Sequence, residues 1–253
     1  RPVSSAASDV YKRQVDKGIS PFNDSEEVIT GGLEDLNERC AEYAALGAKF
    51  TKWRAVIKIG NGIPTQECID ANMKALADYA KIVQNNNMVP MVEPEVLMDG
   101  DHSVQSCFEA TAKCLKTLFS MLNANDVSLK GTILKPNMVV SGTEAPIQAS
   151  VSEVAELTLK VLKENVPSDL AGIAFLSGGQ SDLLATEHLD AMNKLGKLPW
   201  PLSFSYGRAL QQPALKAWMG QSDNKEAAQK AFSHRALMNK LASKGEWQNE
   251  LEN

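Results

Sequence analysis

Two hydrophobic periods alternate along the chain from residue 33 onward. Leu33, Leu36, Cys40, Tyr43 and Ala44 recur at helical spacing, and Gly47 offers a stop. FTKWRAVIKIG (Phe50 to Gly60) then reads as a strand. A second helix opens near Pro64 and Thr65 and buries Ile69, Met73, Leu76, Ala80 and Val83. MVPMVEPEVL (Met88 to Leu97) is strand-like again, and the clearest helix, Ser103 to Leu122, follows it with Val104, Cys107, Phe108, Thr111, Cys114, Leu115, Leu118, Phe119 and Leu122 in register. GTILKPNMVV (Gly131 to Val140) is the next strand, and Ser150 with Glu153 predicts a capped helix carrying Val154, Leu157, Val161 and Leu162. GIAFLSGG (Gly172 to Gly179) and PLSFSYG (Pro201 to Gly207) predict two more strands around a helix from about Ser181 to Leu195. From Ala209 the chain reads as helical, and a short strand is expected at Val15 to Gly18.

Strands alternating with crossover-length helices imply a parallel sheet of right-handed βαβ units. The strand interiors choose between an open sheet and a barrel. Lys52 and Arg54 share one strand face while Trp53, Ala55 and Ile57 share the other. Glu93 and Glu95 repeat the arrangement, and Lys135 sits among Ile133, Leu134 and Met138. An open sheet covered by helices on both faces would bury these charges against apolar packing, at several kcal/mol each. A barrel gives them an interior in which to satisfy one another, so the expected fold is a (β/α)8 barrel.

Composition narrows the function classes. The 253 residues are 43% hydrophobic and 23% charged, which excludes disordered and low-complexity readings. A formal charge of −5 argues against a nucleic-acid partner, which calls for a basic excess. Cys40, Cys68, Cys107 and Cys114 contain no C-x-x-C pair and read as core thiols of a reducing compartment. No apolar run reaches the roughly 18 residues of a membrane span, so no membrane partner is expected. Residues 1–14 (RPVSSAASDVYKRQ) lack the apolar core of a secretory signal and change character at Val15. They are expected to be a non-family leader, disordered or artefactual, ahead of a barrel occupying 15–253.

Lys135 is the most informative residue. A lysine inside an apolar strand is costly unless paired. One reading pairs it with Glu93 or Glu95. The other makes it a reactive amine, desolvated beside Lys52, that attacks a carbonyl to form a Schiff base. That chemistry needs an acid–base group to expel water from the carbinolamine, and Glu93 and Glu95 are the candidates. Ser177-Gly178-Gly179 ends a strand before a helix, where amide N–H groups suit an anion. Ser205-Tyr206-Gly207-Arg208 repeats the design and adds a guanidinium. Two such turns after the last strands of a barrel match a recurrent phosphate location. No nucleotide-binding glycine motif occurs. Asp99 and Asp101 beside His102 make an acidic loop rather than a metal centre, and no HExxH or Cys/His cluster appears, so neither metal nor cofactor is expected.

In order and spacing, FTKWRAVIKIG, VPMVEPEVLMDGDH, GTILKPNMV, AFLSGGQS and PWPLSFSYGRALQQPALKAW resemble the class I fructose-bisphosphate aldolases. The resemblance runs from about Val15 to about Gly245. It implies a lyase of glycolysis and gluconeogenesis that reversibly cleaves fructose 1,6-bisphosphate to dihydroxyacetone phosphate and glyceraldehyde 3-phosphate without a metal. It implies Lys135 as the Schiff-base residue, Glu93 as the proton-transfer residue, Glu95 as the group orienting Lys52, and Lys52 near the reacting centre. Arg54 is implied at the C6 phosphate. Ser177, Gly178, Gly179, Ser205, Gly207 and Arg208 are implied at the C1 phosphate. A homotetramer and a cytoplasmic location also follow from the resemblance, with a plastid address left open by the N-terminus.

Three departures qualify the resemblance. Gln14 stands where the family pattern has a lysine, two residues before Asp16. The strand bearing an aspartate for proton transfer at the C4 hydroxyl has no counterpart, and neither does the C-terminal tyrosine. With about six of the eight strands of a barrel, the sequence is expected to be an N-terminally truncated aldolase with an incomplete tail and weak turnover. The alternatives are a non-catalytic binding or scaffold chain, and another Schiff-base lyase of the transaldolase type.

Overall fold

A computed structural model describes residues 12–252. Its centre is a six-stranded, all-parallel sheet in the order β1 (Lys12–Gln14), β4 (Phe50–Ile57), β5 (Val89–Val96), β6 (Ile133–Leu134), β7 (Gly172–Phe175), β8 (Leu202–Phe204). Strands β2 (Ile19–Pro21) and β3 (Val28–Thr30) form a separate antiparallel pair. The helices are α1 (Leu36–Ala45), α2 (Gln66–Asn85), α3 (Val104–Ala124), α4 (Val151–Asn165), α5 (Asp182–Lys194), α6 (Arg208–Trp218) and α7 (Lys225–Ala242). The sheet pairs consecutive parallel strands as a barrel does, but β1 and β8 remain its two edges.

Local chemistry accounts for the helix starts. The side chains of Thr65, Ser103, Ser150 and Ser181 each accept a backbone N–H three residues on, supplying one of the donors' missing partners in the first turn. Packing accounts for the rest. On β4 the face of Trp53, Ala55 and Ile57 is fully buried. Trp53 stacks at 5.6 Å from Tyr79 of α2, whose hydroxyl is itself satisfied by Thr51 at 2.8 Å and by the Met91 amide at 3.2 Å. The other face of β4 and β5 carries Lys52, Arg54, Glu93 and Glu95, as the alternation required.

Three expectations are corrected. The first strand is Lys12–Gln14 rather than Val15 to Gly18, because the pairing places Lys12 opposite Phe50 and Gln14 opposite Lys52. Val15 adds one more bond, its amide donating to the Lys52 carbonyl at 3.0 Å, before the chain leaves for β2. Of the expected 1–14 leader, residues 12–14 are thus part of the sheet, and 1–11 lie outside the described residues. The fourth barrel strand, β6, shrinks from Gly131–Val140 to Ile133–Leu134. The Lys135 amide still donates to Val92 O at 2.8 Å, but Pro136 has no N–H with which to continue. The β2–β3 hairpin was not expected, since ISPFNDSEEVIT has no clear period. It is held by its ladder and by Glu27, whose carboxylate accepts from the Thr65 amide and hydroxyl, both at 2.7 Å.

Leu118 of α3 is completely buried in the single core, whereas Leu215 of α6 is 54% exposed. Leu118→Ala is expected to cost about 2–5 kcal/mol in urea unfolding, and Leu215→Ala about 0.5 kcal/mol or less. Equal losses at both sites would contradict this packing.

Candidate active site

One face of β4 and β5, the end of β1 and the segments that follow β6, β7 and β8 converge on one cleft of about 390 Å³. Every candidate residue lines it except Gly179, which lies just behind against Arg208. Three larger grooves, about 520, 480 and 440 Å³, lie on the helical exterior and gather none of the candidates.

Register builds the centre of the cleft. Leu134 pairs with Val92, so the next residues, Lys135 and Glu93, lie side by side. Lys135 Nζ is 2.9 Å from one oxygen of Glu93. Lys52 is opposite Met91, two residues before Glu93, and its Nζ reaches diagonally to the other oxygen of Glu93, also at 2.9 Å. One carboxylate therefore bridges two ammonium groups. The side chains are 4% exposed for Glu93, 7% for Lys135 and 14% for Lys52. Burial by itself would raise the Glu93 pKa, but Lys135 and then Lys52 outweigh it and hold the carboxyl below its ordinary range.

The same diagonal places Arg54, opposite Glu93, against Glu95 through its Nε. The expected orientation of Lys52 by Glu95 is thus not made. Each cation of β4 leans one pair further along β5, so Glu93 takes Lys52 and Glu95 takes Arg54. Sequence alone left the partner of Lys135 open between the two glutamates; strand register selects Glu93.

The rim of the cleft is made by two turns. After β7, Ser177 is buried, and Gly178 and Gly179 adopt φ of +60° and +108°. A side chain at either position would be strained, and at Gly178 its Cβ would also press on Leu176 Cδ1 at 3.2 Å. After β8, the Ser205 amide donates to Phe175 O at 2.9 Å, and Gly207 leads into α6, whose first residue is Arg208. Arg208 is exposed and, among the described residues, has neither an ion-pair nor a hydrogen-bond partner. It is a cation available to a ligand. Lysine, glutamate, amide-rich turns and free guanidinium together define a barrel-type site able to activate a carbonyl with an amine while holding an anionic substituent.

Known proteins agree with that class. The profile of the family described as fructose-bisphosphate aldolase class-I matches residues 9–253. A probable fructose-bisphosphate aldolase class 1 of Xanthomonas campestris pv. campestris is 53% identical over 236 residues, 92% of this chain and 71% of that protein. The fructose-bisphosphate aldolase of Dictyostelium discoideum is 48% identical over 94% of this chain and 67% of its own. Among solved structures, the Plasmodium falciparum aldolase crystallised with TRAP and a small-molecule inhibitor superposes with a TM-score of 0.92 at 43% identity, covering 94% of this chain and 70% of that one. The chain belongs to the class I fructose-bisphosphate aldolase family, a family of aldehyde-lyases with the barrel fold. The family's substrate is a sugar bisphosphate.

Gln14 entered the sequence reading only as a departure from the family pattern, and Asn137 was not singled out at all. Gln14 lines the cleft and donates to Asp16 at 2.5 Å, and Asp16 in turn accepts the Arg54 amide at 3.3 Å. Asn137 accepts the Val96 amide at 3.1 Å and donates to Thr111 at 3.0 Å, tying the strand of Glu95 to the segment of Lys135. Its place two residues after the lysine, beyond Pro136, was the available signal. Among the described residues no His, Cys, Asp and Glu side chains group to hold a metal, and no helix is long and apolar enough to cross a membrane. The four cysteines are buried and free.

Glu93→Gln leaves two ammonium groups facing each other and is expected to cost roughly 3 kcal/mol at pH 7. Because the folded pKa of Glu93 is depressed, its contribution is fully present above the ordinary value of 4.5 and is lost as pH falls through the folded value. The gap between wild type and variant in urea unfolding should therefore narrow on acidification. A gap that stays constant with pH would refute the bridging role.

Proposed function

We propose that Lys135 is the nucleophile of a Schiff-base aldol cleavage, that Glu93 moves its protons, and that the two turns hold the C1 phosphate of the substrate. The observation that carries this reading is the Glu93 carboxylate shared between Lys135 and Lys52 at the floor of a cleft rimmed by anion-binding turns.

The ionised Glu93 accepts a proton from Lys135, whose nitrogen then adds to the C2 carbonyl of the ketose. Protonated Glu93 returns a proton to the carbinolamine hydroxyl, water leaves, and an iminium forms. Glu93, ionised again once water has left, takes the C4 hydroxyl proton as the C3–C4 bond breaks, the iminium draws in that bond's electron pair, and glyceraldehyde 3-phosphate departs. The resulting enamine takes that proton from Glu93 at C3, and hydrolysis of the iminium frees dihydroxyacetone phosphate and Lys135. Throughout, Lys52 keeps positive charge beside Glu93 and favours its ionised form between transfers.

Ser177, Ser205, the amides at Gly178, Gly179 and Gly207, and the Arg208 guanidinium are the C1 phosphate set in this reading. Arg54, held by Glu95, faces the C6 end. Fixing both ends sets the C3–C4 bond over the lysine. A homotetrameric assembly and a cytoplasmic location belong to the same reading and rest on family membership.

Borohydride reduction in the presence of dihydroxyacetone phosphate should attach the three-carbon unit covalently to Lys135, seen by peptide mass mapping, with EDTA having no effect. Lys135→Met should abolish labelling. Labelling elsewhere, or loss of labelling in EDTA, would overturn the assignment, and a well-folded chain with no labelling would favour the scaffold alternative.

A further inference from the structure

A buried histidine outside the cleft is joined to the first phosphate turn. His188 lies on α5, only 2% exposed, and its Nδ1 is 2.6 Å from Oε1 of Gln180. Gln180 directly follows Gly179, and its amide donates to Ser177 O at 2.9 Å, closing the turn. The other end of the Gln180 side chain donates to Met138 Sδ at 3.6 Å, three residues beyond Lys135. Burial pushes the imidazole pKa down to about 4, so at neutral pH the ring is uncharged and its Nδ1–H faces the amide oxygen.

The second turn hangs on the same helix. Tyr206, between Ser205 and Gly207, donates its hydroxyl to Ala185 O at 2.8 Å. Ala185 and His188 are three residues apart, about one turn of α5, so both anchors lie on the face that meets the two turns. Two consecutive glycines at positive φ have little conformational preference of their own. Something outside them must select one conformation, and the His188–Gln180 bond is placed to do so.

We propose that His188 is a positioning residue for the substrate's C1 phosphate, acting through Gln180 to hold the Ser177–Gly179 turn at a set distance from Lys135. This rests on the reading of those turns as the phosphate site. The role is specific: His188 tunes capture of phosphorylated ketoses and leaves the chemistry at Lys135 alone.

Concentration-dependent borohydride trapping at Lys135 tests it, with dihydroxyacetone phosphate and unphosphorylated dihydroxyacetone as the two probes. His188→Ala should raise the half-saturating concentration of the phosphate ester by up to about tenfold, the scale of one lost hydrogen bond. Its maximal trapping rate and its half-saturation for dihydroxyacetone should not change. His188→Asn, whose amide nitrogen can occupy the place of Nδ1, should restore the wild-type value, and Gln180→Ala should reproduce the His188→Ala defect. An unchanged half-saturation in His188→Ala, an equal loss for both probes, or an asparagine variant as impaired as alanine would overturn the proposal. Arg208→Ala separates the two levels. If it weakens capture of the phosphate ester while His188→Ala does not, only the positioning role falls. If neither variant matters, the phosphate-site reading falls with it.

Discussion

A single buried carboxylate governs the centre of this protein. Glu93 is only 4% exposed, and ionised in such surroundings it must be paired. The pairing comes from both neighbouring strands, Lys52 of β4 and Lys135 beyond β6, each at 2.9 Å. Three parallel strands are therefore committed to one register, because sliding any of them by a residue would turn its charge toward the helices. The same arrangement underlies the proposed chemistry. A proton leaving Lys135 has an acceptor already in contact, and the second ammonium keeps that acceptor ionised.

Around this centre the supports are polar and local. Asn137 ties β5 to the segment after β6, and Glu27 ties the β2–β3 hairpin to the start of α2. On the far side, α5 is hydrogen-bonded to both turns that rim the cleft, through His188 to Gln180 and through Ala185 O to Tyr206. It is itself held from outside: Arg235 of α7 donates to Thr186 at 3.0 Å, and the Trp247 amide donates to Asp190 at 3.0 Å. Lys135 and the two turns thus rest on different frames, the sheet for one and a helix for the other. Their relative placement depends on bonds such as those of Gln180 that cross between them.

Much of this was legible in the chain. Helices α2 and α3 carry long apolar stripes that no other element could use, and their serine or threonine caps mark the starts within a residue or two. The alternation of Lys52 and Arg54 with Trp53 and Ala55 announced a sheet with one polar and one apolar face. What failed to show has physical causes. The β2–β3 pair is held by backbone bonds between polar segments, which leave no periodic trace. Pro136 cuts β6 to two residues although its flanks remain apolar. The first strand is chosen by its partner: nothing in Lys12–Gln14 marks it as a strand until β4 lies beside it.

The residue types of the site were set by the sequence alone, because a lysine amid Ile133 and Leu134, paired glutamates on β5 and glycine turns after β7 and β8 have few structural justifications. Which charges meet was decided only by tertiary structure. Diagonal contact across parallel strands depends on register, a property of two segments together, and it gave Lys52 to Glu93 and Arg54 to Glu95. The link from His188 to Gln180 likewise exists only once α5 folds back against the turn that precedes it. Composition and period are carried by single segments. Partnership is not, and chemistry at this site is a matter of partnership.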